Sequence, residues 1–321
     1  MKKIVIGSLL LVGLAGALLF IKKRNSNATK TKYSVGILQT ASHPALDASR
    51  DGFIAELTKL LNNDVEFVIK NAQGSTTQAH AIAQQMRSNK QLNGCMAIAT
   101  LAAQALHTVE KERPIFIAAV TNPEALGFIY PDTNVCGTKD MIDVAGQITM
   151  LTQLLPQAKT VGILYTSGEL NSINMVTLMH QELKERGLTA IDFAIGNDAD
   201  IPAMVNVACR KVDVLLAPTD NNIASAISLV SSIALKHKKP LIVSDNMLVQ
   251  YGPLASRGVD YRENGVQTAH IAYAVLAEGK KPADLPIEQA PCNQIFINAA
   301  TARELGILIP DEIQKDIVFV E

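Results

Sequence analysis

Thr100 and Thr219 each stand at the start of a stretch with helical periodicity, where a hydroxyl and unpaired backbone N–H groups attract an anion. Asp220 and Asp245 lie at or just past the ends of apolar runs and are placed to receive an ammonium. A small zwitterion in a partly dry cleft needs both kinds of partner, because a buried charge left unpaired is costly. Tyr165 and Phe128 would supply a stacking surface if that molecule were aromatic. Gln39, His43, Gln104, Thr121, Asn122, Glu169, Asn171, Ser172 and Asn221 complete the polar set. On this reading Asp220→Ala abolishes binding and leaves the fold intact. Each residue also has a plainer role: the threonines and Ser172 as helix caps, the aspartates as turn residues, His43 as a solvent-facing loop residue, Tyr165 as hinge packing, and Glu169 with Asn171 as a loop cap.

The commoner catalytic motifs are missing from the sequence. There is no GxSxG elbow, no P-loop, no GxGxxG fingerprint and no HExxH pair. A Ser or Cys activated by His43 is the one enzymatic alternative. Cys95, Cys136, Cys209 and Cys292 are far apart and form no CxxC or Cys/His cluster, which argues against zinc and leaves room for one disulfide in an oxidising compartment. No cofactor is expected.

The elements that must position these residues are repeated. Val35-Gly36-Ile37-Leu38 recurs as Val161-Gly162-Ile163-Leu164, and Pro114-Ile115-Phe116-Ile117 returns at the same offset as Pro240-Leu241-Ile242-Val243. Between them, Val65 to Ile69 parallels Ala190 to Ile195, and Cys95 to Ala99 parallels Val212 to Ala217. Helical stretches separate these strands, among them Ala48 to Leu61, Thr76 to Ser88, Asp140 to Leu155 and Asn264 to Glu278, and a strand at Ile295 to Asn298 with a helix at Thr301 to Leu305 ends the chain. Each half therefore reads as alternating strands and helices with right-handed crossovers and a parallel sheet, an α/β architecture. Two such sheets in one chain invite a cleft between them, and ligands of open α/β sheets bind outside the carboxyl ends of the strands, where the polar residues above fall.

Length and composition agree. The 321 residues exceed one ordinary core, and 48% apolar content with 4% aromatics suits aliphatic strands covered by helices. Seven bases (Lys2, Lys3, Lys22, Lys23, Arg24, Lys30 and Lys32) precede the first acid, Asp47, and without them the body has 22 bases against 30 acids. So acidic a body lacks the electrostatic footprint for nucleic acid. Ile4 to Ile21 is an unbroken run of apolar and small residues between Lys2-Lys3 and Lys22-Lys23-Arg24. At ~1.5 Å per residue it spans about 27 Å, so it reads as a membrane anchor or as a signal removed by cleavage.

The set His43-Pro44-Ala45-Leu46-Asp47, Asn71-Ala72-Gln73-Gly74, Ala118-Ala119-Val120-Thr121, Pro218-Thr219-Asp220-Asn221 and Pro282-Ala283-Asp284-Leu285-Pro286 resembles the tryptophan/tyrosine-type substrate-binding proteins of bacterial ABC transporters, from Tyr33 to about Pro310. Two departures are Ala17, where a lipoprotein signal would have Cys, and Thr166-Ser167, where relatives more often carry Asn-Pro. The resemblance implies a type I periplasmic-binding fold: two Rossmann-like lobes joined by a hinge of three crossings, preceded here by an apolar helix. The expected lobes are 33–138 with 250–284, and 139–249 with 285–321. It further implies a monomer at the extracytoplasmic face of the inner membrane, closing on a small zwitterion such as Trp, Tyr or Phe and delivering it to an ABC permease and its ATPase. A sensing or scavenging receptor without transport is the alternative. A repressor-type regulator would need a helix-turn-helix where this chain has its apolar run.

Overall fold

Aliphatic runs separated by amphipathic stretches build two sheets, as the alternation predicts. The computed structural model describes residues 32–128, 133–291, 294–315 and 317–321. The apolar run at 4–21 and Cys292 lie outside them. Among the described residues no helix is long and apolar enough to cross a membrane. Of the described cysteines, Cys95, Cys136 and Cys209 are buried free thiols.

The first half runs β1 (Tyr33–Gln39), α1 (Pro44–Leu60), β2 (Val65–Asn71), α2 (Thr76–Ser88), β3 (Gly94–Ile98), α3 (Thr100–Val109), β4 (Ile115–Val120) and β5 (Val135–Lys139). The second runs α4 (Val144–Leu154), β6 (Thr160–Thr166), α5 (Leu170–Glu185), β7 (Thr189–Ile195), α6 (Ile201–Cys209), β8 (Val214–Ala217), α7 (Asn221–Ser225), α8 (Ile227–Lys236), β9 (Leu241–Asp245) and β10 (Ala255–Val259). Then follow α9 (Tyr261–Leu276), β11 (Glu288–Gln289), β12 (Ile295–Asn298), α10 (Ala299–Leu305), α11 (Asp311–Gln314) and β13 (Ile317–Val320). The sheet orders are β11-β5-β4-β3-β1-β2 and β13-β12-β10-β9-β8-β6-β7. All neighbours are parallel except β10 and β12. The repeated motifs fall on β1 and β6, and on β4 and β9, which hold corresponding places in the two sheets.

Hydrogen bonding moves two expected boundaries. β10 pairs with β9, so Ala255–Val259 belongs to the second sheet, and the chain re-enters the first lobe at Asp260. β11 pairs with β5, so Glu288–Gln289 belongs to the first sheet. The three crossings thus fall after β5, between β10 and α9, and between β11 and β12. Helix starts shift as well. Asp140 precedes α4, which Asp143 caps through Gly146 N–H at 2.9 Å, and α9 starts at Tyr261 behind the cap Asp260.

Helices cover both faces of each sheet, α1 with α9 and α2 with α3 on the first, α4 with α5 and α6 with α8 on the second. The α1–α9 crossing is the tightest. A Cβ on Gly265 would lie 1.9 Å from the Ser49 carbonyl oxygen, and one on Gly52 would lie 2.4 Å from that of Arg262. Both helices begin at the lobe junction, α1 after His43 and α9 with Tyr261. We predict that Gly265→Ala, which cannot be accommodated without parting these backbones, costs about 2 kcal/mol or more and lowers Tm by about 5 °C or more. An unchanged melting curve would show that the crossing tolerates separation.

Candidate functional site

In both sheets the strand order reverses beside the strand that opens the half, between β1 and β3 and between β6 and β8. At such a switch point adjacent loops diverge and leave a crevice. The two crevices face each other across a narrow, partly enclosed cavity. The first lobe and the crossings line it with His43, Leu46, Ala99, Ala119, Thr121, Asp140 and Tyr261, and the second with Asn171, Pro218, Thr219, Asp220, Asn221, Ile223, Leu248 and Asp245, among others.

Two alanines on this wall have left-handed backbones. Ala99, just before α3, has φ 72° and ψ 167°, a region nearly restricted to glycine, and Ala119 has φ 56°. The register of β4 against β5 shifts between Ile117 and Val120, so Ala119 sits in a bulge. Asn264 of α9 takes up its freed N–H at 3.1 Å, and donates to Thr138 Oγ1 at 2.8 Å. The second sheet repeats the device. β10 shifts register against β9 between Ser256 and Val259, and Asn246 accepts the Gly258 N–H at 2.9 Å.

Charge on the wall is one-sided. Asp140, Asp220 and Asp245 line the cavity, and among the described residues no Lys or Arg does. Asp220 is saturated by its own lobe, accepting from Thr166 N–H at 2.6 Å, Thr166 Oγ1 at 3.0 Å, Ser172 Oγ at 2.7 Å and Ile223 N–H at 2.9 Å. These bonds occupy the four lone-pair directions of a carboxylate. Asp140 differs: Tyr261 Oη donates to its Oδ2 at 2.7 Å, and the Thr121 hydroxyl lies close enough to stabilise its charged form, although Oδ1 makes no hydrogen bond within 3.5 Å. Burial raises the Asp140 carboxyl above the usual carboxylate range. Burial, reinforced by Asp140 and Asp260, pushes Asp245 up to about 8, although the N–H groups of Met247 and Leu248 act the other way. Burial and the two aspartates also lift the Tyr261 phenol.

Behind this wall Glu169 holds the start of α7. Its carboxylate accepts from Asn221 N–H and Asn222 N–H at 3.0 Å each, from Asn221 Nδ2 at 2.6 Å and from Asn171 Nδ2 at 2.9 Å. Burial, with the Asp220 charge, pushes Glu169 up to about 7. Asn221 Oδ1 faces His43 Nε2 of the other lobe at 3.3 Å.

Seven of the fifteen residues singled out from the sequence line the cavity: His43, Thr121, Asn171, Thr219, Asp220, Asn221 and Asp245. Ser172 and Glu169 support it from behind. The others lie elsewhere. Gln39 donates to Ala41 O and Asp47 Oδ1, tying β1 to α1. Thr100 is buried beside the cavity without lining it, Gln104 is exposed on α3, and Asn122 accepts the Ala125 N–H in a turn. Tyr165 packs against the apolar core, and Phe128 sits edge-on to His107 at 4.8 Å within the first lobe, and neither lines the cavity. The anion site expected at Thr219 is also revised, because carboxylates of the chain itself take the first N–H groups of α7. Asp220 is an organiser of its lobe rather than a free carboxylate, so Asp220→Ala should disturb the β6 and α7 loops as well as binding. Sequence reasoning missed Asp140, Tyr261 and the two strained alanines. Their only sequence signal is position, next to strand ends and lobe crossings.

The family model described as ABC transporter substrate binding protein matches residues 34–318. The chain is 32% identical to a tyrosine-binding protein of Clostridioides difficile over 286 residues, covering 87% of this chain and 82% of that protein. An ABC-domain structure from Streptococcus pneumonia in complex with L-Trp superposes with a TM-score of 0.86 at 33% identity, covering 90% of this chain and 99% of that one. A ligand-free, open substrate-binding protein from Clostridium difficile, at 32% identity and the same coverage, gives 0.68.

The raised Asp245 carboxyl has a thermodynamic consequence. Its folded value of about 8 stands above the ordinary 3.8, so the native chain holds a proton that the unfolded chain gives up. The associated stability is present below about pH 4 and is lost as pH rises towards 8. Asp245→Asn keeps an acceptor for Met247 and removes the titration. Its stability relative to wild type, from denaturant curves, should rise steadily between pH 4 and 8; parallel pH profiles would refute the buried, protonated carboxyl.

Proposed function

Because this chain belongs to the family of ABC transporter substrate-binding proteins, we propose that it captures an aromatic amino acid between its lobes at the extracytoplasmic face of the membrane and hands it, unchanged, to an ABC permease. The observation that carries this reading is the wall charge: three carboxylates, and no Lys or Arg among the described residues, in a cavity lined from both lobes. An α-ammonium is the complement of that wall. Placed against Asp140 and Asp245, it favours their ionised forms against the burial that raises both carboxyls. The ligand's carboxylate lies towards Ala99 and the start of α3, the positive end of that helix. Its ring packs on Leu46, Pro218, Ile223 and Leu248, aliphatic faces rather than aromatic ones. The tyrosine-binding relative and the L-Trp complex support an aromatic side chain.

Because the ligand touches both lobes, it binds the closed arrangement more tightly than the open one, and that difference drives closure. The closed form is then what a permease recognises. Residues 4–21 supply the tether or the export signal.

The test is a thermal-shift screen of the full chain, stripped of carried-over ligand by unfolding and refolding, against amino acids, sugars, nucleosides and peptides. A ligand at about a hundred times its Kd stabilises the native state by about 2.7 kcal/mol. Trp, Tyr or Phe should raise Tm by several degrees, and Asp140→Asn should weaken that shift. A shift with sugars or nucleosides alone would retain the family role and discard the amino acid; no shift with any of them would discard the proposal.

A further inference from the structure

His43 borders the cavity, is 7% exposed, and stands at the N-cap of α1, where the following Pro44 holds it extended at φ −156° and ψ 165°. It makes no capping bond, so its ring is free for another task. The state of that ring follows from its neighbours. Glu169 Oε2 already accepts from the Asn221 backbone N–H at 3.0 Å and from Asn171 Nδ2 at 2.9 Å, so it stands as an acceptor and the Asn221 amide turns its NH2 towards it, 2.6 Å away. Its Oδ1 therefore faces His43, and Nε2, at 3.3 Å, is the atom that donates. Burial favours the neutral ring, which carries one hydrogen, although Asn221 and the Asp47 charge pull the other way. That hydrogen is on Nε2. Nδ1 is left as a bare lone pair, buried and without a partner.

Thr121 and Thr219 also bring buried hydroxyls without partners to the wall, but a hydroxyl can turn to donate or accept. Nδ1 in this tautomer can only accept. We propose that His43 is a specificity-determining residue that accepts a hydrogen from the ligand's ring through Nδ1, so that indole and phenol side chains are preferred to a plain phenyl ring. This rests on the reading of the cavity as an aromatic amino-acid site and adds the feature of the side chain that it selects. A ligand without the ring donor leaves the buried nitrogen unpaired, and a site built around a hydrogen bond rejects such an analogue more strongly than an apolar pocket would.

The test is calorimetric titration of the stripped full chain with matched pairs, tyrosine against phenylalanine and tryptophan against its benzothienyl isostere, in wild type, His43→Gln and His43→Asn. In wild type the member lacking the donor should bind about ten- to a hundredfold more weakly. Gln keeps an N–H for Asn221 and has nothing at Nδ1, so the ratio should fall to within about threefold. Asn places a carbonyl near the Nδ1 position and should keep part of the discrimination, a rescue that a merely structural role would not give. Equal binding of both members by wild type, or an unchanged ratio in His43→Gln, would overturn the proposal while leaving the amino-acid reading in place. Failure of every aromatic amino acid to bind would overturn both.

Discussion

Closing two lobes over a set of carboxylates strips water from groups that ionise readily outside, and that cost falls on whatever fills the cavity. Asp140 and Asp245 can meet it in two ways. They can hold protons, as their raised values indicate, or they can share a cation. On the proposed reading a ligand ammonium brings three further donors to this wall, beside the Tyr261 and Thr121 hydroxyls that already act on Asp140. On that reading, an ammonium that answers the wall charge couples binding to closure. Asp220 and Glu169 play the opposite part. Donors within the second lobe occupy them, so they shape the loops and leave the hinge aspartates to face the ligand.

The fold brings those aspartates to the junction by one device used twice. Each lobe ends its principal run of parallel strands with a bulged register, at Ala119 against β5 and at Gly258 beside β9, and a buried asparagine takes the backbone group that the bulge releases. Asn264 does this from α9, which is locked to α1 by a glycine-lined crossing. Packing of the first lobe thus fixes the position of Ala119, His43 and Tyr261 together. Pre-set backbone strain at Ala99 and Ala119 keeps the wall in one shape before the ligand arrives.

Much of this is legible in the sequence, for physical reasons that also mark where legibility stops. The internal repeat reports the two sheets because buried parallel strands leave unbroken aliphatic runs, as in β1 and β6. Strand ends report loops, which is why Asp245, Thr219 and His43 are found. Gln104 is not at the cavity, because one more turn of α3 turns its side chain to solvent while Ala103 and Leu106 face the core. β10 escapes notice because Ser256, Arg257 and Gly258 interrupt its apolar pattern, and the lobe boundary is misplaced with it. Asp140 reads as a helix cap and Tyr261 as a residue before a helix; only the crossing of the chain between lobes makes them neighbours, joined at 2.7 Å.

The central claim is that the ligand's ammonium supplies the charge the cavity lacks. The most direct measurement is the affinity of the stripped full chain for L-tryptophan or L-tyrosine, whichever binds more tightly, against the same molecule without its amino group, indolepropionate or hydroxyphenylpropionate. The account predicts a loss of about a hundredfold or more, because the carboxylates then keep their protons and the deamino compound offers them no donor. Comparable affinities for the two would contradict it and place the recognition of the ligand elsewhere in the cleft.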